Sequence, residues 1–305
     1  MTSPYRILAL DGGGMRGVFT ASVIAHLEYL LSESLANHVD LLVGTSTGGI
    51  IALGLAGGYS GEDMLDFYKA HGADIFSKPR RLGRLTGPKY EREPLDAVLQ
   101  EHFGRDTTMN QLGTSVCIAA HELVAGTTRV FKDDHHKDLR GGDTWRVWKV
   151  AAATSAAPTY FAPVQVGAAD SHVDGGVWAN NPAMIGVIEA LRYGNAQIED
   201  VRMVSVGTTS EVFRVASHGQ ATRMGGLAWV RRGRELLLGS GVSMASHLQA
   251  ELLLSPKRYL RIDDHLTRGY ALDDYRSALA LQELGHQHAR QSRDRVAELF
   301  ALSGA

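Results

Sequence analysis

The stretch Ile7-Leu8-Ala9-Leu10-Asp11-Gly12-Gly13-Gly14-Met15-Arg16-Gly17, followed by residues 39–43 and then Gly44-Thr45-Ser46-Thr47-Gly48, decides the fold. Four consecutive apolar residues closed by an acid and three glycines read as a buried parallel strand running into a tight loop. A helix is predicted over residues 18–35, with Val23, Leu27, Leu30 and Leu31 along one stripe. Residues 39–43 form the next strand, and the glycines around Ser46 turn the chain into an apolar helix over 49–56. Strand, crossover, strand, crossover is the pattern of a mainly parallel sheet covered by helices, an α/β fold.

Further helices are predicted at 61–75, 93–102, 144–153, 182–193, 226–238, 242–254 and 274–299, and strands at 114–121, 127–132, 161–166 and 201–206. Residues 77–89, rich in Gly, Pro and Arg, have the length of an active-site lid or binding loop, with a solvated surface loop as the alternative. No repeat, low-complexity tract or linker divides the chain. Residues 1–305 are therefore read as one domain, with its motifs in about 5–210 and a mostly helical part over 211–305.

At 44% hydrophobic and 21% charged residues the composition is that of a globular protein, which excludes disordered and fibrous classes. A formal charge of -2 gives no bulk electrostatic reason to bind DNA or RNA or to stay on an anionic membrane, so any such contact must be local. The single cysteine, Cys117, sits in an apolar run and reads as core. With one thiol, no apolar leader in the first residues and no run approaching ~18 apolar residues, the expected location is the cytoplasm.

Three constellations carry chemistry. In Gly44-x-Ser46-x-Gly48 a strand-to-helix turn exposes a serine hydroxyl at a helix N-terminus, the placement of a candidate nucleophile. In the glycine loop, backbone N–H groups can converge on an anion. Gly12, Gly14 and Gly17 match the dinucleotide-binding spacing, but the second strand ends in Gly44, Thr45 and Ser46 where that site needs an acid. No Lys-Ser/Thr follows to make a P-loop, which leaves an oxyanion hole. The third is Asp174-Gly175-Gly176 with Asn180-Asn181-Pro182 opening a helix; alone it reads as a turn. His135-His136 and His286-x-His288 lie in polar stretches and read as solvated surface rather than metal ligands.

Together with Ala153-Thr154-Ser155-Ala156-Ala157-Pro158-Thr159-Tyr160-Phe161, and in this order along the chain, these motifs closely resemble the patatin-like phospholipases. The resemblance spans roughly residues 5–210. It implies a three-layer α/β/α fold with a mainly parallel sheet and a Ser/Asp dyad in place of a triad. Ser46 would be the nucleophile and Asp174 the general base. Gly12, Gly13 and Gly14 would form the oxyanion hole, with Arg16, Gly17, Gly44, Gly48, Gly175 and Gly176 supporting the motifs. The implied reaction is hydrolysis of fatty-acyl esters of membrane phospholipids during transient surface contact, with no cofactor or metal. The competing readings are an α/β-hydrolase triad using His247, His265 or His286, a housekeeping lysophospholipase without regulation, and a nucleotide sensor without activity.

The compact layout is also similar to the phospholipase effectors of CBASS antiphage systems, which cyclic oligonucleotides switch on. An active phospholipase inside the cell needs restraint at the inner face of the membrane, so a cyclic dinucleotide activator, with homo-oligomer formation, is the expectation. Arg223, Trp229, Arg231, Arg232 and Arg234, and Arg80, Arg81 and Arg84 in the 77–89 loop, are the candidate phosphate- and base-binding residues, because guanidinium groups fork onto phosphates and stack on bases. Two solvated basic faces are the alternative.

Overall fold

The computed structural model describes residues 3–80, 87–211, 217–226, 241–266 and 269–302. Strand β1 (Tyr5–Leu10) leads through the glycine loop into α1 (Gly17–Leu31), and β2 (Leu41–Thr45) leads through Ser46 into α2 (Thr47–Ala56). Helices α3 (Gly61–Phe76) and α4 (Glu93–Phe103) come before β3 (Ser115–Glu122) and β4 (Thr127–Lys132). Then follow α5 (Val147–Thr154), β5 (His172–Asp174), the short α6 (Gly176–Ala179), α7 (Ala183–Arg192) and β6 (Val201–Val206). Helix α8 (Gly241–Arg258) breaks at Ser255 (φ 60°) ahead of Pro256 and passes into β7 (Tyr259–Ile262); α9 (Ala278–Phe300) follows.

The sheet runs β4-β3-β2-β1-β6-β7, parallel except for β4 and β5, which both pair antiparallel with β3. Alternation along β1 divides the core: Leu8 and Leu10 pack under α1, α2 and α9, while Ile7 and Ala9 face α7 and α8. That makes the three layers. The register aligns Leu10 with Gly44 and Val206, and Val206 with Ile262. The loops holding Asp11, Ser46, Thr208 and Asp263 therefore leave the same carboxyl edge, where open α/β sheets build their sites. The start of α3 is fixed by a reciprocal cap: Ser60 Oγ accepts the Asp63 N–H (3.1 Å) and Asp63 accepts that of Ser60 (2.8 Å).

Two expectations need correction. Residues 161–166 are not a strand; Pro163 has no N–H for a ladder, and only Val164 bridges, to His172. The mostly helical part over 211–305 also contributes a strand, β7, to the main sheet. His135, His136, His286 and His288 are half-buried rather than solvated. His135 lies between Asp133 and Glu189, both at 3.0 Å; burial opposes its charge, but the two carboxylates raise its pKa to about 9. His286 stacks on His26, and His288 meets the Phe19 ring edge-on. Cys117 is fully buried, which raises its thiol well above the ordinary range. Of the predicted helix 226–238, residues 227–238 lie outside the described residues.

Candidate active site

Ser46 sits at the tip of the β2–α2 turn with φ 54° and ψ −125°, a conformation that costs a non-glycine residue about 1–3 kcal/mol. Its surroundings hold it there. The Ser46 N–H donates to Thr154 Oγ1 (2.9 Å), whose own proton goes to the Ala119 carbonyl (2.6 Å), and the Ser46 carbonyl accepts the first bond of α2, from Ile50 (3.0 Å). Gly48 is required by close approach, since a Cβ there would lie 2.2 Å from the Leu10 carbonyl oxygen. Gly44, next to last in β2, lies against Gly48 and Gly49 in the same way, and Gly17 faces Thr47 at the start of α1.

Asp174 ends β5 opposite Ala120, with its N–H bound to the Ala156 carbonyl (3.0 Å). The Ser46 side chain lies near enough to its carboxylate to favour the charged form. The Gly176 N–H donates to Oδ1 at 2.7 Å, with Gly175 packed on the Ala119 carbonyl between them. Ser46 is 8% and Asp174 6% exposed. Burial raises the Asp174 pKa from the ordinary 3.8 to about 6, against the opposing effect of the Ser46 side chain and the Gly176 amide. A carboxylate made this basic suits proton transfer near neutral pH.

The glycine loop runs beside Ser46, and a Cβ on Gly12 would come within 3.1 Å of Ser46 Cβ. Its three amides are not equivalent. The Gly12 N–H is already given to the Asn180 carbonyl (2.9 Å), and the Gly12 carbonyl accepts from the Thr208 hydroxyl (2.8 Å). Gly14, at φ +58° and with the Leu272 carbonyl pressed against it, needs glycine on both counts. The next amide, Met15, donates to that Leu272 carbonyl (2.7 Å). Among the described residues, Gly13 and Gly14 are left with amides that no protein acceptor takes. Arg16 is braced on the Gly13 and Thr209 carbonyls (3.2 and 3.1 Å), which gives it a structural as well as an electrostatic part.

A cavity of about 440 Å³ opens onto Ser46 and Asp174, with an apolar wall that includes Met15, Ile50, Phe67, Phe76 and Leu95. Such a space has the size and apolar wall to suit an acyl chain, with Ser46, Asp174, Gly13 and Gly14 also in its lining. Among the described residues, Ser46 and Gly176 are the groups that favour the charged form of Asp174, and no histidine is among those that shift it. His172 lies against Phe131, and His247 meets the Tyr259 hydroxyl at 3.0 Å.

Thr154 and Asn180 support the site from within quoted motifs, although the residue pattern assigned them no role. Arg261 and Leu272 gave no sequence signal. Of the candidate nucleotide ligands, Arg223 is exposed and Arg80 pairs with Glu91 (3.1 Å). Arg81, Arg84, Trp229, Arg231, Arg232 and Arg234 lie outside the described residues.

Comparison with known proteins places the chain in a family. The profile of the patatin-like phospholipase family matches residues 8–187. A cGAMP-activated phospholipase of Vibrio cholerae is 33% identical, covering 100% of this chain and 94% of that protein. One of the same description from Escherichia coli is 34% identical over 88% and 80%. Patatin-17 of Solanum cardiophyllum is 26% identical over 86% and 77%. The profile match and the full-length identity together show that the chain belongs to the patatin-like phospholipase family.

Proposed function

We propose that this hydrolase cleaves fatty-acyl esters of membrane phospholipids through a dyad of Ser46 and Asp174, and that a cyclic dinucleotide activates it as part of an antiphage response. Ser46 Oγ attacks the ester carbonyl while its proton passes to Asp174. The developing oxyanion faces the amides of Gly13 and Gly14, and Gly12 shapes the loop instead of donating. As the intermediate collapses, Asp174 returns the proton to the departing lysophospholipid oxygen; water then repeats the cycle on the acyl-enzyme. The observation that carries this reading is the buried Asp174 carboxylate, which lines the same cavity as Ser46 and has its pKa raised to about 6 by burial. The test is Ser46→Ala and Asp174→Ala, each expected to remove ester hydrolysis from a folded protein. Near-normal turnover by the Asp174 variant would reject the base.

Activation is supported by the relatives described as cGAMP-activated phospholipases, one of them aligned with the whole of this chain. Titration calorimetry and lipid-release assays with 3′,3′-linked cyclic dinucleotides test it. High basal activity without binding by any of them rejects the activation and leaves the hydrolase standing. Transient contact with the inner face of the membrane is supported by α8. Ser243 in its first turn lines the cavity, and Met244, Leu248 and Leu252 then lie 47%, 54% and 76% exposed along one stripe. Among the described residues no helix is long and apolar enough to cross a membrane. The reading of residues 1–305 as one domain is supported by β7, which adds the C-terminal part to the main sheet, and by α9, which packs on α1.

A further inference from the structure

We infer that Arg261, on the last strand of the main sheet and outside the stretch matched by the family profile, positions the oxyanion loop and so sets the rate of the acyl transfer. The inference rests on the proposed dyad and on the glycine loop as the oxyanion hole. Arg261 lies 250 residues from Asp11 in sequence, yet its guanidinium forks onto that carboxylate, Nη1 to Oδ1 at 2.8 Å and Nη2 to Oδ2 at 2.6 Å. Asp11 immediately precedes Gly12, and its own amide is fixed to the Val206 carbonyl (3.0 Å).

The same guanidinium donates to Ser205 Oγ (2.7 Å) and to Asp263 Oδ2 (2.7 Å), and the other Asp263 oxygen accepts the Thr209 N–H (3.0 Å). Thr208, next to it, holds the Gly12 carbonyl. Arg261 therefore ties down both the stem of the glycine loop and the segment that props it from the side. The side chain is 12% exposed; burial opposes its charge, and Asp11 and Asp263 more than offset that, so it stays protonated.

Fold stability alone is a poor reason for such a pair, because removing two charges from water costs about what their attraction returns, and apolar residues of similar size usually serve as well. The fork does something an apolar pair cannot: two parallel hydrogen bonds fix the plane of the Asp11 carboxylate and with it the path of the chain into Gly13 and Gly14. Misplacing a catalytic group by about 1 Å can cost roughly 10²-fold in rate, and losing one oxyanion donor about 10²–10³-fold.

The first test is Arg261→Lys, which keeps the charge and loses the fork. It should fold with near-normal thermal stability and lower kcat on a soluble short-chain ester by about 10–100-fold, with KM changed by less than about threefold. Because a single Arg261 substitution can also unfold the chain, the neutral pair Asp11→Asn with Arg261→Met is measured beside it; it should regain stability but not kcat.

Two probes separate positioning from general damage. An acyl trifluoromethyl ketone accepts Ser46 Oγ at its carbonyl carbon, the serine proton passes to Asp174 and the carbonyl oxygen becomes an anion at the loop. An ether-linked phospholipid only occupies the cavity. Arg261→Lys should weaken the ketone by at least about tenfold and leave the ether ligand within about twofold. Unchanged kcat, equal loss for both ligands, or activity regained by the neutral pair each overturn the inference. Ser46→Ala, run in parallel, separates the two levels: if it still hydrolyses ester, the dyad reading itself has failed, and Arg261 is not what was tested.

Discussion

Replacing Asp174 by Asn should abolish turnover and at the same time stabilise the protein, by an amount that depends on pH in a defined direction. The amide keeps the shape of the carboxyl and its bond from the Gly176 N–H, and it removes the group that ionises. A rise from 3.8 to about 6 means that folding disfavours the ionised carboxylate by about 3 kcal/mol. The folded state keeps its proton to higher pH than the unfolded chain. Between about pH 4 and 6 it therefore binds more protons, and wild-type stability falls as pH rises.

The side-chain amide of the variant does not titrate. Its advantage over the wild type should be smallest below about pH 4, grow through the window and level off above about pH 6, approaching 3 kcal/mol. Urea unfolding of both proteins from pH 4 to 8 measures this, and because all other groups are shared, the difference isolates Asp174. The kcat/KM of the wild type on a soluble ester should fall through the same pH range on the acid side, since the protonated acid cannot accept the serine proton. A stability difference that is flat with pH, or that grows towards acid, would refute the argument.

Alanine at His172 should leave activity per folded molecule within about threefold, since the ring packs on Phe131 and does not act on Asp174; a loss near 10³-fold, the size expected of a triad member, would restore the histidine mechanism. Gly48→Ala places a methyl 2.2 Å from a backbone oxygen that cannot move alone, and should lower stability by about 2 kcal/mol or more in thermal unfolding, with an unchanged melting temperature as the contrary result. Leu252→Glu should reduce hydrolysis of phospholipid vesicles by about tenfold while soluble ester turnover holds, because the side chain is 76% exposed on the α8 stripe; equal rates on vesicles would remove α8 from membrane contact.

The fold was legible where local pattern and tertiary role agree. In β1 and β2 every residue from Ile7 to Leu10 and from Leu41 to Thr45 is buried, so an unbroken apolar run followed by glycine was a faithful sign of a central parallel strand. The same rule misread residues 161–166, whose apolar side chains do pack inward while Pro163 forbids the ladder. It passed over β5, three residues long, and β7, where an arginine interrupts the pattern. In β7 the interrupting residue is itself a partly buried ion-pair partner, and periodicity has no means of telling a paired arginine from a solvated one.

The site was legible in its residue types and not in their energies. Asp-Gly-Gly in isolation is a turn, and nothing within those three residues makes the acid basic. The shift arises because Asp174, paired with β3 and bound through its N–H to the Ala156 carbonyl, is buried away from water, while among the described residues the Gly176 amide and the Ser46 side chain are what favour the charge. The glycine loop shows the same limit. Three consecutive glycines look interchangeable on paper, yet the Asn180 carbonyl takes the amide of Gly12, the Leu272 carbonyl takes that of Met15, and the pair between them stays free among the described residues. Which amides of the loop remain without an acceptor among the described residues is thus set by carbonyls about 170 and 260 residues away in sequence. A motif supplies backbone that can turn tightly enough; distant acceptors select which N–H groups remain to do chemistry.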